Sequence, residues 1–262
     1  MSSIKLIANG PNSWDVFPAN REGFLGQLSL NEIDSEAGTA ELDWEYGDPT
    51  GLKQEYVEAF QHGVIHAIYE LGLHKVKIAI SLGDVVFIDL IERAGFLAGR
   101  EFGKGVKRSR RYSCDRYDLI RNLAETKMND FLDTSIWRFG WDSAKRRLGV
   151  CKYDDHRISL SRYLVDLHPL EDVRQVILHE VAHAMCGPRV GHGRKWKDTA
   201  TKLGYRHEKI SGEEIGNATA RYIGVCPNGH SAYRHRKPKT QLSCAKCSTR
   251  FDRRFLIIWS ER

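Results

Sequence analysis

Two groups of histidine, cysteine and glutamate in this 262-residue chain have the spacing to hold a metal ion. The first is His179-Glu180-Val181-Ala182-His183. Residues four apart share one face of a helix, so both imidazoles reach a single ion, and Glu180 stands where it can address a water held there. Val173, Val176, Ile177, Val181, Ala184 and Met185 recur at helical spacing around the motif. Glu171 and Asp172 suit the start of that helix, and Gly187-Pro188 ends it. A catalytic zinc takes three protein ligands and keeps one position open. His192, flanked by Gly191 and Gly193, is the leading third ligand, while Glu208, Glu213 and Glu214 are the carboxylates a second helix would supply. Such a site hydrolyses peptide bonds, with Glu180 as the base. Arg189, Arg194 and Tyr205 stand open as groups to stabilise the oxyanion.

The second group is Cys226-Pro227-Asn228-Gly229-His230 followed by Cys244-Ala245-Lys246-Cys247. Four Cys and His ligands in two knuckles close a tetrahedral, structural zinc site. His230 is the expected fourth ligand, with His235 as the alternative. So short a module buries little core, and the metal supplies most of its stability. Arg234, Arg236, Lys237, Lys239, Arg250, Arg253 and Arg254 alternate there with Tyr222, Tyr233, Phe251, Phe255 and Trp259. Cations of this kind neutralise phosphates, and aromatics stack bases or form the ribbon's own core.

The net charge of +6 conceals a division along the chain. Residues 1–105 carry a net −8 and residues 106–262 a net +14. The basic half attracts polyanions, nucleic acid above all. A composition of 41% hydrophobic and 28% charged residues excludes a largely disordered chain. No run of apolar residues is long enough to cross a membrane, and the first residues do not form a secretory signal. The expected compartment is therefore the cytoplasm or the nucleoid, with no membrane partner; cysteines in such a reducing setting read as metal ligands.

The elements that must position these groups follow from periodicity. Phe24–Leu30 and Thr39–Tyr46 read as strands, Leu52–Leu71 as a helix ended by Gly72, Val76–Leu82 as a strand and Val86–Ala94 as a helix. Residues 104–116 form a basic stretch read as a loop or the approach to a linker, either solvated or in contact with phosphate. An α/β domain is the natural outcome.

These N-terminal pieces, with Tyr69-Glu70-Leu71-Gly72-Leu73 and Ile91-Glu92-Arg93-Ala94-Gly95-Phe96, resemble a GNAT acyltransferase over about residues 4–122, and Arg111–Ile120 would be its last strand. That resemblance implies acetyl-CoA as cofactor. Gly47-Asp48-Pro49-Thr50-Gly51 departs from the family's glycine spacing at the pyrophosphate turn, which favours a degenerate scaffold. The segment from Trp137-Arg138-Phe139-Gly140-Trp141 through Arg147–Cys151, Ile158–Ser161 and Val176–His183 to Gly191-His192-Gly193-Arg194-Lys195-Trp196 resembles the SprT-like zinc metallopeptidases. It implies His179, His183 and His192 as zinc ligands, Glu180 as catalytic base, Cys151 and Trp196 as packing residues, and proteins on or crosslinked to DNA as substrates. The expected fold class is α/β (α+β). A GNAT-like mixed sheet with helices spans 1–122, a zincin-like α+β metalloprotease domain 123–215 and a small β zinc ribbon 220–262. One catalytic and one structural zinc are expected. Two other readings remain: a bifunctional or primarily acetyltransferase protein, and a non-catalytic zinc-containing DNA-binding protein.

Overall fold

A computed structural model describes residues 2–47, 51–208 and 210–262. The chain forms two compact units, Met1–Phe131 and Leu132–Arg262.

In the first unit, β1 (Ile4–Gly10), β2 (Ser13–Pro18), β3 (Gly26–Asp34) and β4 (Thr39–Tyr46) make an antiparallel meander. The helix α1 (Lys53–Ile65) runs into a π-helical turn, His66–Glu70. Next come β5 (Lys75–Ser81), α2 (Val85–Arg93), β6 (Leu97–Phe102), a 3-10 turn at Gly105–Lys107, β7 (Ser109–Asp115) and α3 (Arg116–Phe131). Among the described residues the strands form one sheet in the order β1-β2-β3-β4-β5-β7-β6. Alternation sets which face is buried: Leu28 and Leu30 of β3, Ala40, Leu42 and Trp44 of β4, and Val76, Ile78 and Ile80 of β5 point into a core shared with Phe60 and Val64 of α1. The parallel pairing of β4 with β5 covers only Thr39–Glu41 against Lys75–Lys77. A cavity of about 250 Å³ lies beside it, lined by Glu41, Leu42, Asp43, Trp44, Ile78 and Phe87 among others.

This is the mixed sheet with helices expected from the sequence, with three differences. The first two strands, β1 and β2, complete the meander although their patterns are short. Arg111–Ile120 is not one strand: β7 ends at Asp115, whose side chain accepts hydrogen bonds from the backbone N–H groups of Tyr117 and Asp118 and so turns the chain into α3. Residues 97–115 form a hairpin instead of a loop, because β7 pairs with β5 along its whole length and β6 adds to its other edge. Within the turn carrying the GNAT departure, Asp48–Thr50 lie outside the described residues.

In the second unit, β8 (Arg138–Asp142), β9 (Gly149–Lys152) and β10 (Arg157–Ser161) form a sheet in the order β8-β10-β9. The central strand β10 is parallel to β8 and antiparallel to β9. With α4 and α5 packed against it, its Ile158, Ser159, Leu160 and Ser161 are all buried. The helices are α4 (Arg162–Leu167), α5 (Leu170–Cys186), α6 (Arg194–Lys202) and α7 (Glu213–Ala218). α5 lies against β9 and β10 through its apolar stripe, and α6 packs on α5 through Trp196 and Ala200 against Ala182 and Cys186. The chain ends in a second three-stranded sheet, β12-β11-β13, made of β11 (Tyr222–Val225), β12 (Ser231–Arg234) and β13 (Ile258–Glu261).

Candidate metal centres

α5 starts at Leu170 with Glu171 and Asp172 in its first turn and stops at Gly187, whose φ of 87° turns the chain out of the helix. His179 and His183 stand one turn apart, half-buried on the side facing Trp196, and the loop after Gly187 returns His192 to them. The Nε2 atoms are 3.2 Å apart for His179 and His183, 3.0 Å for His183 and His192, and 3.2 Å for His192 and His179. A tetrahedral ion holding imidazoles at ~2.0–2.1 Å separates their nitrogens by about 3.3–3.4 Å. Three converging lone pairs at nearly that spacing fit a zinc ion. Burial lowers His179 to about 4, with His183 and His192 pushing the same way, and burial beside His192 lowers His183 to about 4. Both imidazoles are therefore neutral at physiological pH, the state a metal requires.

Trp196 of α6 holds this triangle from behind. Its ring centroid lies 4.5 Å from His192, 4.8 Å from His179 and 5.2 Å from His183. It is only 3% exposed, the packing role the sequence gives it. Tyr205 adds an edge contact to His179 at 5.4 Å. Of the three groups named for the oxyanion, Tyr205 is thus beside the imidazoles. Arg194 reaches out to Asp198 at 3.9 Å with its side chain almost wholly exposed, and Arg189 is exposed. Glu208 offers its backbone carbonyl to the Tyr205 hydroxyl and pairs its carboxylate with Arg206, while Glu213 and Glu214 belong to α7. None of these carboxylates joins the histidine cluster.

Glu180 is buried against the edge strand β9. Gly149 makes room for it: a Cβ there would come within 2.9 Å of the Glu180 Cγ and Oε1 and of Val176 Cγ1. Burial raises Glu180 to about 7, although the Cys151 backbone N–H and the Arg147 charge act in the opposite direction. A carboxyl with a pKa near neutrality both takes and gives a proton at working pH. Cys151 is half-buried, and burial together with Glu180 pushes its thiol up to about 12, so it packs without reacting. Tyr153, two residues further along β9's turn, donates its hydroxyl to the His183 carbonyl at 3.0 Å. The sequence assigns no role to Gly149, which lies within Arg147–Cys151, or to Tyr153. Neither has a spacing signal, because each meets α5 only through the packing of β9 on the helix.

The ribbon knuckles also converge. The Cys226 Sγ lies 3.7 Å from His230 Nδ1 and 3.8 Å from Cys247 Sγ, and His230 Nδ1 lies 3.2 Å from Cys247 Sγ and 3.6 Å from Cys244 Sγ. With Zn–S at ~2.3 Å, tetrahedral thiolates sit about 3.8 Å apart, far from a disulfide length. All six cysteines are free thiols. Burial disfavours ionisation of Cys226 and Cys244, yet backbone N–H groups of His230 and Asn228 draw Cys226 below its usual value, and those of Cys247 and Lys246 do so for Cys244. The donor set suits zinc, and His230, not His235, lies with the three thiols.

Residues 117–215 match the SprT-like family. The N-terminal sheet is similar to acetyltransferase structures. One is a spermidine N-acetyltransferase from Vibrio cholerae in complex with CoA and spermine, 18% identical over 41% of this chain and 67% of that one, with a TM-score of 0.36. Another is the spermidine/spermine N-acetyltransferase SpeG from Vibrio cholerae in complex with manganese ions, 20% identical over 39% of this chain and 64% of that one, with a TM-score of 0.34. The chain spans about two thirds of the length of these structures. No curated protein matches the chain. Among the described residues, no helix is long and apolar enough to cross a membrane.

Proposed function

We propose that the second unit is a zinc-dependent peptidase acting on proteins associated with or crosslinked to DNA, with a structural zinc in its ribbon. The observation that carries the chemistry is the three Nε2 atoms within 3.2 Å of one another beside a buried glutamate whose pKa is about 7. His179, His183 and His192 would hold the catalytic ion, leaving one coordination position for water or substrate. Zinc, when bound, acidifies water and polarises a carbonyl oxygen. Glu180 accepts the proton of the attacking water and delivers it to the leaving amine. Trp196 fixes the orientation of the imidazoles. Delivery to DNA rests on the +14 carried by residues 106–262 and on the cations of the ribbon. Glu180→Gln should keep both zinc ions and lower cleavage of a DNA-bound protein by about 100-fold or more. Unchanged cleavage with zinc retained would refute the assignment.

A second reading concerns the first unit. The short β4–β5 pairing and the adjoining cavity support a small-molecule site there, and an acetyltransferase would place acetyl-CoA in it. Calorimetric titration of the full chain with acetyl-CoA tests this. Absence of saturable heat would leave the unit as a scaffold.

A further inference from the structure

The first unit carries a local reversal of charge, of which Lys107, Arg108, Arg110 and Arg111 fall within the +14 of residues 106–262 and Arg100 and Lys104 outside it. Residues 1–96 have 6 Lys and Arg against 15 Asp and Glu, whereas residues 97–111 have 6 against 1. The reversal coincides with one structural feature, the β6–β7 hairpin at the end of the sheet. β6 has β7 on one side and open edge on the other, and all six of its residues are exposed. The single anion, Glu101, is taken up by Arg110 and by Arg108 at 4.0 Å. Arg100, Lys104, Lys107 and Arg111 are exposed and make no ion pair among the described residues. Phe102 is 44% exposed, and the Arg111 guanidinium lies 5.6 Å from its ring centroid. Leu97, at the other end of β6, is 54% exposed.

We infer that this hairpin is a binding surface for single-stranded nucleic acid, separate from the ribbon. Four cations without anionic partners match a phosphodiester backbone. Phe102 with its arginine presents a stacking surface, which is of use only to bases whose faces are free, as in a single strand. One or two charges are enough to protect an edge strand against pairing, so edge protection does not account for six cations within fifteen residues. The acidic remainder of the unit repels polyanions, which confines the contact to the hairpin. The inference does not depend on peptidase activity.

The test is fluorescence anisotropy of the full, zinc-loaded chain with a labelled oligothymidylate of about 15 nucleotides across a range of salt. Replacing Arg100, Lys104 and Lys107 together by Ala should weaken binding on the order of 50-fold at ~0.15 M salt and lower the log–log salt slope by about 2. Phe102→Ala should weaken binding about fivefold or more with the slope unchanged. Should the triple variant melt at a lower temperature than the wild type, Lys104→Glu, in the turn, provides the same readout. Wild-type affinity and slope in the charge variant would overturn the inference, as would displacement of the oligonucleotide by polyglutamate at equal charge, which would assign the surface to an acidic protein. If a ribbon variant such as Arg250→Ala/Arg253→Ala abolishes binding while the hairpin variant does not, the hairpin is excluded and nucleic-acid delivery by the ribbon stands.

Discussion

Burial, more than position in the motif, sets the protonation of Glu180. An exposed glutamate beside His179 would titrate near 4.5, whereas here burial against β9 raises it to about 7. A carboxyl raised in the folded state contributes stability that is fully present below about pH 4.5 and is lost as pH rises through about 7, by up to ~3 kcal/mol. In metal-free protein, Glu180→Gln should therefore lose less stability than the wild type between about pH 5 and pH 8. Urea unfolding at both pH values measures this, and equal losses would show that burial does not govern the carboxyl. The depressed His179 and His183 act at the acid end in both proteins, so their effect cancels from the comparison. Gly149 makes a complementary case. Its missing Cβ is the space Glu180 occupies, so Gly149→Ala should displace the carboxylate and cost about 1–3 kcal/mol. Cleavage should fall by more than zinc occupancy does, because the histidines do not touch that strand position.

Among the elements, α5 carries His179, Glu180 and His183, and α6 sets Trp196 against the histidine cluster. Trp196 is the shared wall of all three imidazoles and part of the core between α5 and α6. Trp196→Ala should destabilise the second unit by about 3–5 kcal/mol and weaken zinc binding about 10- to 100-fold. Trp196→Phe, which keeps an aromatic face, should recover most of the affinity. Competition with a metallochromic chelator gives the affinity, and thermal unfolding the stability. Equal zinc affinity in Trp196→Ala would show that the triangle holds itself without the indole.

At the level of the whole molecule, two metal clusters on separate elements predict two zinc ions per chain. Cys244→Ser should remove one and unfold the ribbon while the histidine cluster keeps the other, since knuckles this short depend on the metal for their fold. Elemental analysis distinguishes this from loss of both or neither. The clusters themselves were legible in the sequence because their ligands come from local spacings: i, i+4 on one helix, and Cys or His pairs within tight knuckles. β4, whose bounds match the sequence reading, was legible for the same local reason, Ala40, Leu42 and Trp44 alternating with polar residues. Where partners lie far apart in the chain, local pattern was insufficient. The basic residues 104–116 join a hairpin only because β5 offers β7 an edge. The break of Arg111–Ile120 at Asp115 is local by contrast, an Asp side chain capping the next helix inside what reads as a strand.

The amino-acid sequence by itself determined the His179-Glu180-x-x-His183 spacing, the two cysteine knuckles and the opposition of an acidic and a basic half, since each is a matter of residue type and short spacing. Tertiary structure alone decided the rest. It turned His192 back to within 3.2 Å of its partners, preferred His230 to His235, and laid Gly149 and the Cys151 backbone along Glu180. Those outcomes depend on how β9, α5 and α6 pack. Packing is set by the sum of many apolar contacts between segments distant in sequence, which no local pattern records.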